Sequence, residues 1–269
     1  IMPSLVGSEM CIRDRLKIEH LTKMFGGLAA VNDVSVDFGA NQINAIIGPN
    51  GAGKSTFFNL ISGVHQPTSG RILLDGQDVT TMRCDHVAKL GVGRTFQTTN
   101  LFETATVLDN LIVGYRLRTQ SGLWDVLINS KRLQAEEKAA REKAREALDF
   151  VGLSHAENRY IADCTQEERK RVAFALALAT DPKIVLLDEP AAGVNPEETE
   201  GLAELMKKMV RNGLTVCLIE HKMDMIMGMA DKIMVLDHGE KIAEGTPEEV
   251  KNNPVVIEAY LGSDADAAA

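Results

Sequence analysis

The sequence predicts an α/β fold: a mainly parallel core sheet covered on both faces, an antiparallel strand-rich N-terminal part, and a helical lobe inserted in the chain. Three observations predict it. Apolar strand-like runs alternate with helical patterns, as where "INAIIG" (43–48) precedes "KSTFFNLISG" (54–63) and "IVLLDE" (184–189) precedes "EETEGLAELMKKMVRNG" (197–213). The stretch 16–38 alternates apolar and polar residues between turn glycines. From Thr106 to Gly152 the pattern is helical. A chain of 269 residues is long enough to bury one core with a smaller attached lobe.

Each element has its own signal. "LKIEHLTKMF" (16–25) and "VNDVSVDF" (31–38) end at Gly26-Gly27 and Gly39, as half-buried antiparallel strands do. "INAIIG" is apolar throughout and stops at Gly48, which fits a strand buried on both faces. "GRILLDG" (70–76) reads as a further strand and "DHVAKLG" (85–91) as a weak helix. The segment ending at Gly152 places Glu137 with Arg141 and Lys138 with Glu142 at i,i+4, and Leu133, Ala140, Ala144 and Leu148 loosely on one side, as a solvated amphipathic helix does, with a partner-binding face as the alternative. "TVCLIE" (215–220) is another apolar strand and "KMDMIMGMA" (222–230) another helix. In "KIMVLDHGEKIAEG" (232–245), Asp237-His238-Gly239-Glu240 reads as a hairpin turn.

Composition excludes several classes. With 45% hydrophobic and 25% charged residues the chain is that of a globular protein. A net charge of −9 argues against nucleic acid as a partner, because counterion release needs a basic face. No apolar run approaches the ~20 residues that span a bilayer, so a soluble or peripheral protein is expected. Cys11, Cys84, Cys164 and Cys217 are scattered, without a C-x-x-C pair, and read as reduced thiols. Residues 1–15, "IMPSLVGSEMCIRDR", lack the layout of a signal peptide and resemble a non-native read-through tail. Leu16 is the expected start of the domain, which runs to 262, with the helical lobe at about 98–180 and a disordered tail at 263–269.

The chemistry is carried by three strand ends. "GPNGAGKST" comprises Gly48, Pro49, Asn50, Gly51, Ala52, Gly53, Lys54, Ser55 and Thr56. It satisfies G-x-x-x-x-G-K-[ST] between a strand and a helix, the context that pattern requires. Glycines let the backbone curl so that N–H groups point at phosphate oxygens, and the helix N-terminus adds positive partial charge. Lys54 can reach the terminal phosphates of a bound nucleotide and the Ser55 hydroxyl can ligand Mg²⁺. "KIVLLDEP" places Asp188 and Glu189 at the carboxyl end of a strand, where parallel sheets bind ligands. Asp188 suits Mg²⁺, and Glu189 suits orienting or deprotonating a water; alone, the two acids serve equally well as helix caps. His221 in "CLIEHKMD" follows a third apolar strand, within reach of a γ-phosphate. Gln97, at the entrance to the lobe, can sense Mg²⁺ and water.

Together these residues resemble the ATP-binding cassette ATPases from about Leu16 to Gly262. Gly48–Thr56 are similar to the Walker A motif, Gln97 to the Q-loop, Asp188-Glu189 to Walker B and His221 to the H-loop. Phe25 in "KMFGG" is similar to the aromatic that stacks on adenine. "GRTFQTTNLFETATVLDNLIVG", "LLDEPAAGVNPEET" and "GEKIAEGTPEEVKNNPVVIEAYLG" resemble the branched-chain amino acid importer ATPases, and the long segment before Gly152 their larger ATPase subunit. The resemblance implies an ATPase peripheral to the cytoplasmic face of the inner membrane. Its implied partners are permease subunits, a second ATPase subunit, identical or different, and indirectly a periplasmic substrate-binding protein. Leu101-Phe102 suit either a permease helix or the core of the lobe. A scaffold or regulatory cassette, and a nucleotide-binding chain without turnover, are the other readings. Transport ATPases do not touch the cargo, so urea or another amide stays open as the substrate.

One stretch departs from the family. In "ADCTQEERKR" (162–171), a polar, glutamate-rich turn by its composition, the pattern L-S-[YG]-G-[EQ]-Q is expected ahead of two basic residues. Counting back from Lys170-Arg171 puts Thr165 on the serine, Glu167 on the glycine and Glu168 next. The resemblance implies that this glycine approaches the γ-phosphate held by the other subunit. Two like charges ~4 Å apart at a surface-like dielectric repel by ~4 kcal/mol. Such a loss is about a thousandfold in affinity. Three outcomes follow: the side chain swings to solvent and leaves a weak but working clamp; the chain pairs with a different ATPase and one composite site is impaired; or the stretch, like residues 1–15, is not native.

Overall fold

The computed structural model describes residues 14–95, 101–115 and 130–266. Two sheets organise it. The first is antiparallel, in the order β2-β1-β4-β5, from β1 (Asp14–Phe25), β2 (Leu28–Gly39), β4 (Ser69–Leu74) and β5 (Gln77–Asp78). The second, in the order β10-β9-β3-β8-β7-β6, is built from β3 (Ile43–Ile47), β6 (Val92–Arg94), β7 (Ile184–Asp188), β8 (Thr215–Ile219), β9 (Lys232–Asp237) and β10 (Glu240–Gly245). It is parallel except for the β9–β10 hairpin. That hairpin turns on His238 and Gly239, both at positive φ (46° and 84°), the conformation a two-residue turn needs to match strand twist.

The helices are α1 (Lys54–Ile61), α2 (Cys84–Lys89), α3 (Val107–Tyr115), α4 (Lys131–Val151), α5 (Gln166–Leu178), α6 (Pro196–Arg211), α7 (Met223–Met227), α8 (Pro247–Lys251) and α9 (Pro254–Asp266). Strand parity explains how they attach. Ile43, Ala45 and Ile47, with Val185, Leu187, Val216, Leu218, Ile233 and Val235, face a core shared with α3 to α6. The alternate residues Ile46, Ile184, Leu186, Cys217, Ile219, Met234 and Leu236 face a second core made by α1 and the antiparallel sheet. The central strands are therefore covered on both sides and need apolar residues at nearly every position. Fully burying a side chain such as Phe57 or Phe58 of α1 contributes about 1.5–3 kcal/mol. No described helix is long and apolar enough to cross a membrane. Cys84, Cys164 and Cys217 are free thiols.

Helices α3, α4 and α5 lie in sequence between β6 and β7. On α4, Ala140, Ala144 and Leu148 are buried while the opposite face is charged. Its i,i+4 pairs are Arg132–Glu136 and Lys138–Glu142. At the start of β1, Asp14 pairs with Gly39, and Arg15 bonds Asp75 at 2.9 Å. Helix α9 continues to Asp266, past Gly262, since adding residues to a helix already anchored by Val256 costs little compared with starting one.

Candidate functional site

Register brings the three strand ends together. Ile46 of β3 lies beside Ile219 of β8, and Ile219 beside Asp188 of β7. With β8 between β3 and β7, the loops after all three emerge from one edge of the sheet, the ligand edge of a parallel sheet. A cavity of about 530 Å³ opens there, lined by Phe25, Leu28, Ala29, Ala30, the loop Asn50 to Thr56, Glu189, His221 and His238.

The loop between β3 and α1 is shaped by its glycines. Gly48 has φ +150°, and a Cβ there would meet the Leu236 carbonyl oxygen at 1.9 Å. Gly53 has φ +94°, and a Cβ would meet the Ala30 oxygen at 2.2 Å. Both contacts are with backbone, so no side chain fits at either position. Lys54 is buried and donates to the carbonyls of Gly48 and Pro49, each at 2.7 Å. Burial lowers its pKa, and the charges of Glu189 and Asp188 act against that fall. Ser55 is exposed at the cavity. The start of α1 is chemically distinctive. Helices α5, α6 and α8 close their N-termini with capping boxes (Thr165/Glu168, Asn195/Glu198, Thr246/Glu249). Helix α1 follows Gly53 with no side-chain cap and no acid in its first turn, so its leading N–H groups are left for an anion.

Across the cavity, Asp188 is 5% exposed, with Arg94 at 3.6 Å from Oδ2. Burial raises its pKa, and Arg94 opposes the rise. Asp188 Oδ1 is buried without a hydrogen-bond partner, the condition of a carboxylate oxygen that a cation would satisfy. Among the described residues no group of three or more His, Cys, Asp or Glu could hold a metal. The oxygens of Asp188 and Ser55 fit Mg²⁺, which takes few protein ligands and completes its shell with phosphate and water. Glu189 has φ +48°, and its Oε1 lies 3.3 Å from His221 Nε2. Phe25 is half-exposed at the cavity mouth, with Lys23 Nζ 5.1 Å above its ring and His65 edge-on at 5.5 Å. Gln97 lies outside the described residues.

The structure adds residues that the sequence did not single out. Leu28, Ala29, Ala30 and His238 line the cavity through chain reversals that spacing alone does not reveal. Arg94 is buried under Asp188, bonded to Asn59 and Ser62 at 2.8 and 2.7 Å; a lone arginine in "GVGRTF" carries no signal of that. The stretch 165–171 also differs from a turn: it is the opening of α5. Thr165 caps the helix and bonds reciprocally with Glu168, and Glu168 in turn pairs with Arg159. Glu167 folds back onto Arg171 at 2.7 Å, with its side chain only 23% exposed. Here the T-x-x-E spacing and the i,i+4 Glu–Arg spacing were signals available in the sequence.

Comparison with known proteins bears on this geometry. Residues 31–192 match the family model described as ABC transporter, and residues 240–266 match the model described as branched-chain amino acid ATP-binding cassette transporter. The chain is 40% identical over 248 residues to the high-affinity branched-chain amino acid transport ATP-binding protein LivG of Escherichia coli K12, covering 92% of this chain and 97% of LivG. It is 40% identical over 251 residues to the corresponding BraF of Pseudomonas aeruginosa, covering 93% and 98%. A crystal structure of an ABC transporter ATP-binding cassette in its ADP conformation superposes with a TM-score of 0.82 at 33% identity, over 93% of this chain and 99% of that one. With its fold, its strand-end loops and nearly its whole length accounted for in this way, the chain belongs to the ABC transporter family, as an ATP-binding cassette.

Proposed function

We propose that this chain is the ATP-hydrolysing subunit of a membrane importer for branched-chain amino acids, bound to permease subunits at the cytoplasmic face of the membrane. The observation that carries the ATPase reading is the uncapped start of α1 behind a glycine loop, facing Glu189 and His221 across a shared cavity, with Asp188 next to Glu189 at the end of β7. The choice of cargo rests on similarity to LivG and BraF along nearly their full length.

Each residue then has a task. Phe25 offers its half-exposed face to the adenine ring. The N–H groups of the loop and of the first turn of α1 hold the phosphates, and Lys54 leaves its two carbonyl partners for the terminal phosphates. Ser55 and Asp188 would hold Mg²⁺, with Gln97 as a further ligand, and an ion bound there would supply charge neutralisation for the phosphates. Glu189 accepts a hydrogen bond from the attacking water and draws off its proton as the water oxygen bonds to the γ-phosphorus and the bond from that phosphorus to the ADP oxygen breaks, releasing ADP and phosphate. His221 holds that carboxylate and reaches the same phosphate. Binding closes this chain against a second ATPase subunit, and hydrolysis reopens the pair. Phe102, 59% exposed just beyond the Gln97 segment, offers an apolar contact for a permease helix. A periplasmic binding protein would deliver the amino acid.

In proteoliposomes carrying the permeases and binding protein, labelled leucine is expected to accumulate only with this chain, ATP and Mg²⁺. Uptake that proceeds without the chain would remove it from the importer. ATP turnover with no uptake of any amino acid tested would favour a non-transport cassette.

A further inference from the structure

Residue 189 occupies a backbone conformation that a side-chain-bearing residue adopts only under constraint, at φ +48°. Its restraints come from three parts of the molecule. The Glu189 N–H donates to Ile219 O at 2.9 Å, across the sheet. The Glu189 carbonyl accepts from Ala192 N–H at 3.2 Å, within its own turn, and from Lys170 Nζ at 3.3 Å. Lys170 belongs to α5, the last helix before β7, so this bond joins the helical part of the chain to the peptide of Glu189.

A second group holds the neighbouring loop. Glu220 is 3% exposed, and a carboxylate so buried must be satisfied locally. Its Oε2 accepts from Ala191 N–H at 3.0 Å; its Oε1 accepts from His221 N–H at 3.0 Å and Lys222 N–H at 3.3 Å. The loop after Glu189 and the turn bearing His221 therefore hang on one carboxylate. Lys170 is half-buried beside it: desolvation pulls the lysine pKa down, and the charges of Glu220, Glu189 and Asp188 oppose that fall. Neither Lys170 nor Glu220 lines the nucleotide cavity.

We propose that Lys170 and Glu220 are positioning residues of the hydrolytic pair. Glu220 fixes the Glu189 and His221 loops relative to each other, and Lys170 makes the Glu189 peptide depend on where α5 stands. The proposal rests on the ATPase reading above. It separates two properties of the chain. ATP affinity is set by the loop 48–56 and α1, which neither residue touches. Turnover is set by a carboxylate whose backbone is tied to α5, so a shift of that helix by one hydrogen-bond length switches hydrolysis without releasing nucleotide.

The test compares wild type with K170M, K170R, E220Q and K170M/E220Q, both free and assembled with the permeases. A fluorescent ATP analogue reports affinity, phosphate release gives kcat and KM, and a melting curve reports stability. K170M is expected to lose about 10- to 100-fold in kcat. Its affinity and KM should stay within about twofold, the signature of an interaction that matters in the transition state. K170R should recover most of the loss. E220Q should show the same split, and the double variant should lose no more than the worse single one, because the two act as a unit. Unchanged kcat in K170M, or losses in kcat, affinity and melting temperature together, would overturn the proposal, as would multiplying losses in the double variant. If K170M does not fold, E220Q decides on the same readouts. A wild-type chain that binds no ATP would remove the ATPase reading itself; normal binding with a normal K170M rate would remove only this inference.

Discussion

Replacing Glu189 by Gln is expected to lower ATP turnover by about 10²- to 10⁴-fold while ATP still binds. An amide has the shape of the carboxylate but cannot take a proton from water. The proposed binding elements are other groups: the glycine loop, the uncapped start of α1, and Lys54, which donates to the Gly48 and Pro49 carbonyls. Affinity should rise slightly, because one negative charge is removed from beside the triphosphate. The contact with His221, now 3.3 Å, survives as an amide–imidazole hydrogen bond. Steady-state phosphate release and equilibrium ATP binding on the same preparation test this. A variant that turns over at the wild-type rate would take the water-activating role away from Glu189.

The second large effect concerns residue 167. In a Glu189→Gln background, Glu167→Gly is expected to tighten ATP-driven dimerisation by about 10- to 100-fold, some 1.4–2.8 kcal/mol. The thousandfold repulsion of a bare carboxylate is an upper limit, because Glu167 is neutralised by Arg171 at 2.7 Å and does not extend from the helix start. What remains is a first turn carrying two acids, with the Thr165–Glu168 capping box already occupying N–H groups that would otherwise meet a phosphate. That turn opposes an anion where the start of α1 favours one. Size-exclusion chromatography with ATP at several protein concentrations gives the two dimer dissociation constants. Equal constants would show that Glu167 does not burden the clamp, and a single ATPase chain could then form both composite sites.

What the sequence disclosed, and what it did not, divides along physical lines. The shape of the loop between β3 and α1 was legible because its signal is local: glycines at Gly48 and Gly53 where no Cβ fits, between a strand and a helix. The β9–β10 turn was legible for the same reason, since Asp237 to Glu240 carry their own backbone signal. The buried strands showed themselves as apolar runs because parity sends alternate residues into two different cores. Strand β6 did not, since three residues containing a glycine have no periodicity and find their place only by pairing with β7. Arg94, Lys170 and Glu220 were hidden for a different reason. Each is a charged residue that looks like surface in one dimension and is wholly (Glu220) or partly (Arg94, Lys170) covered by chain far away in sequence. Glu167 lies between these cases. Its clash was read from the residue aligned there, whereas its partner Arg171, one helical turn on, had a local signal.

Every role proposed for the strand-end residues depends on the loop 48–56 holding ATP. The most direct measurement is calorimetric titration of MgATP into the wild-type chain and into Lys54→Ala. Saturable binding by wild type is predicted, with affinity falling in Lys54→Ala by about 10- to 100-fold, the value of one charge-assisted hydrogen bond to phosphate. No binding by the folded wild-type chain, or equal binding by the two proteins, would contradict it.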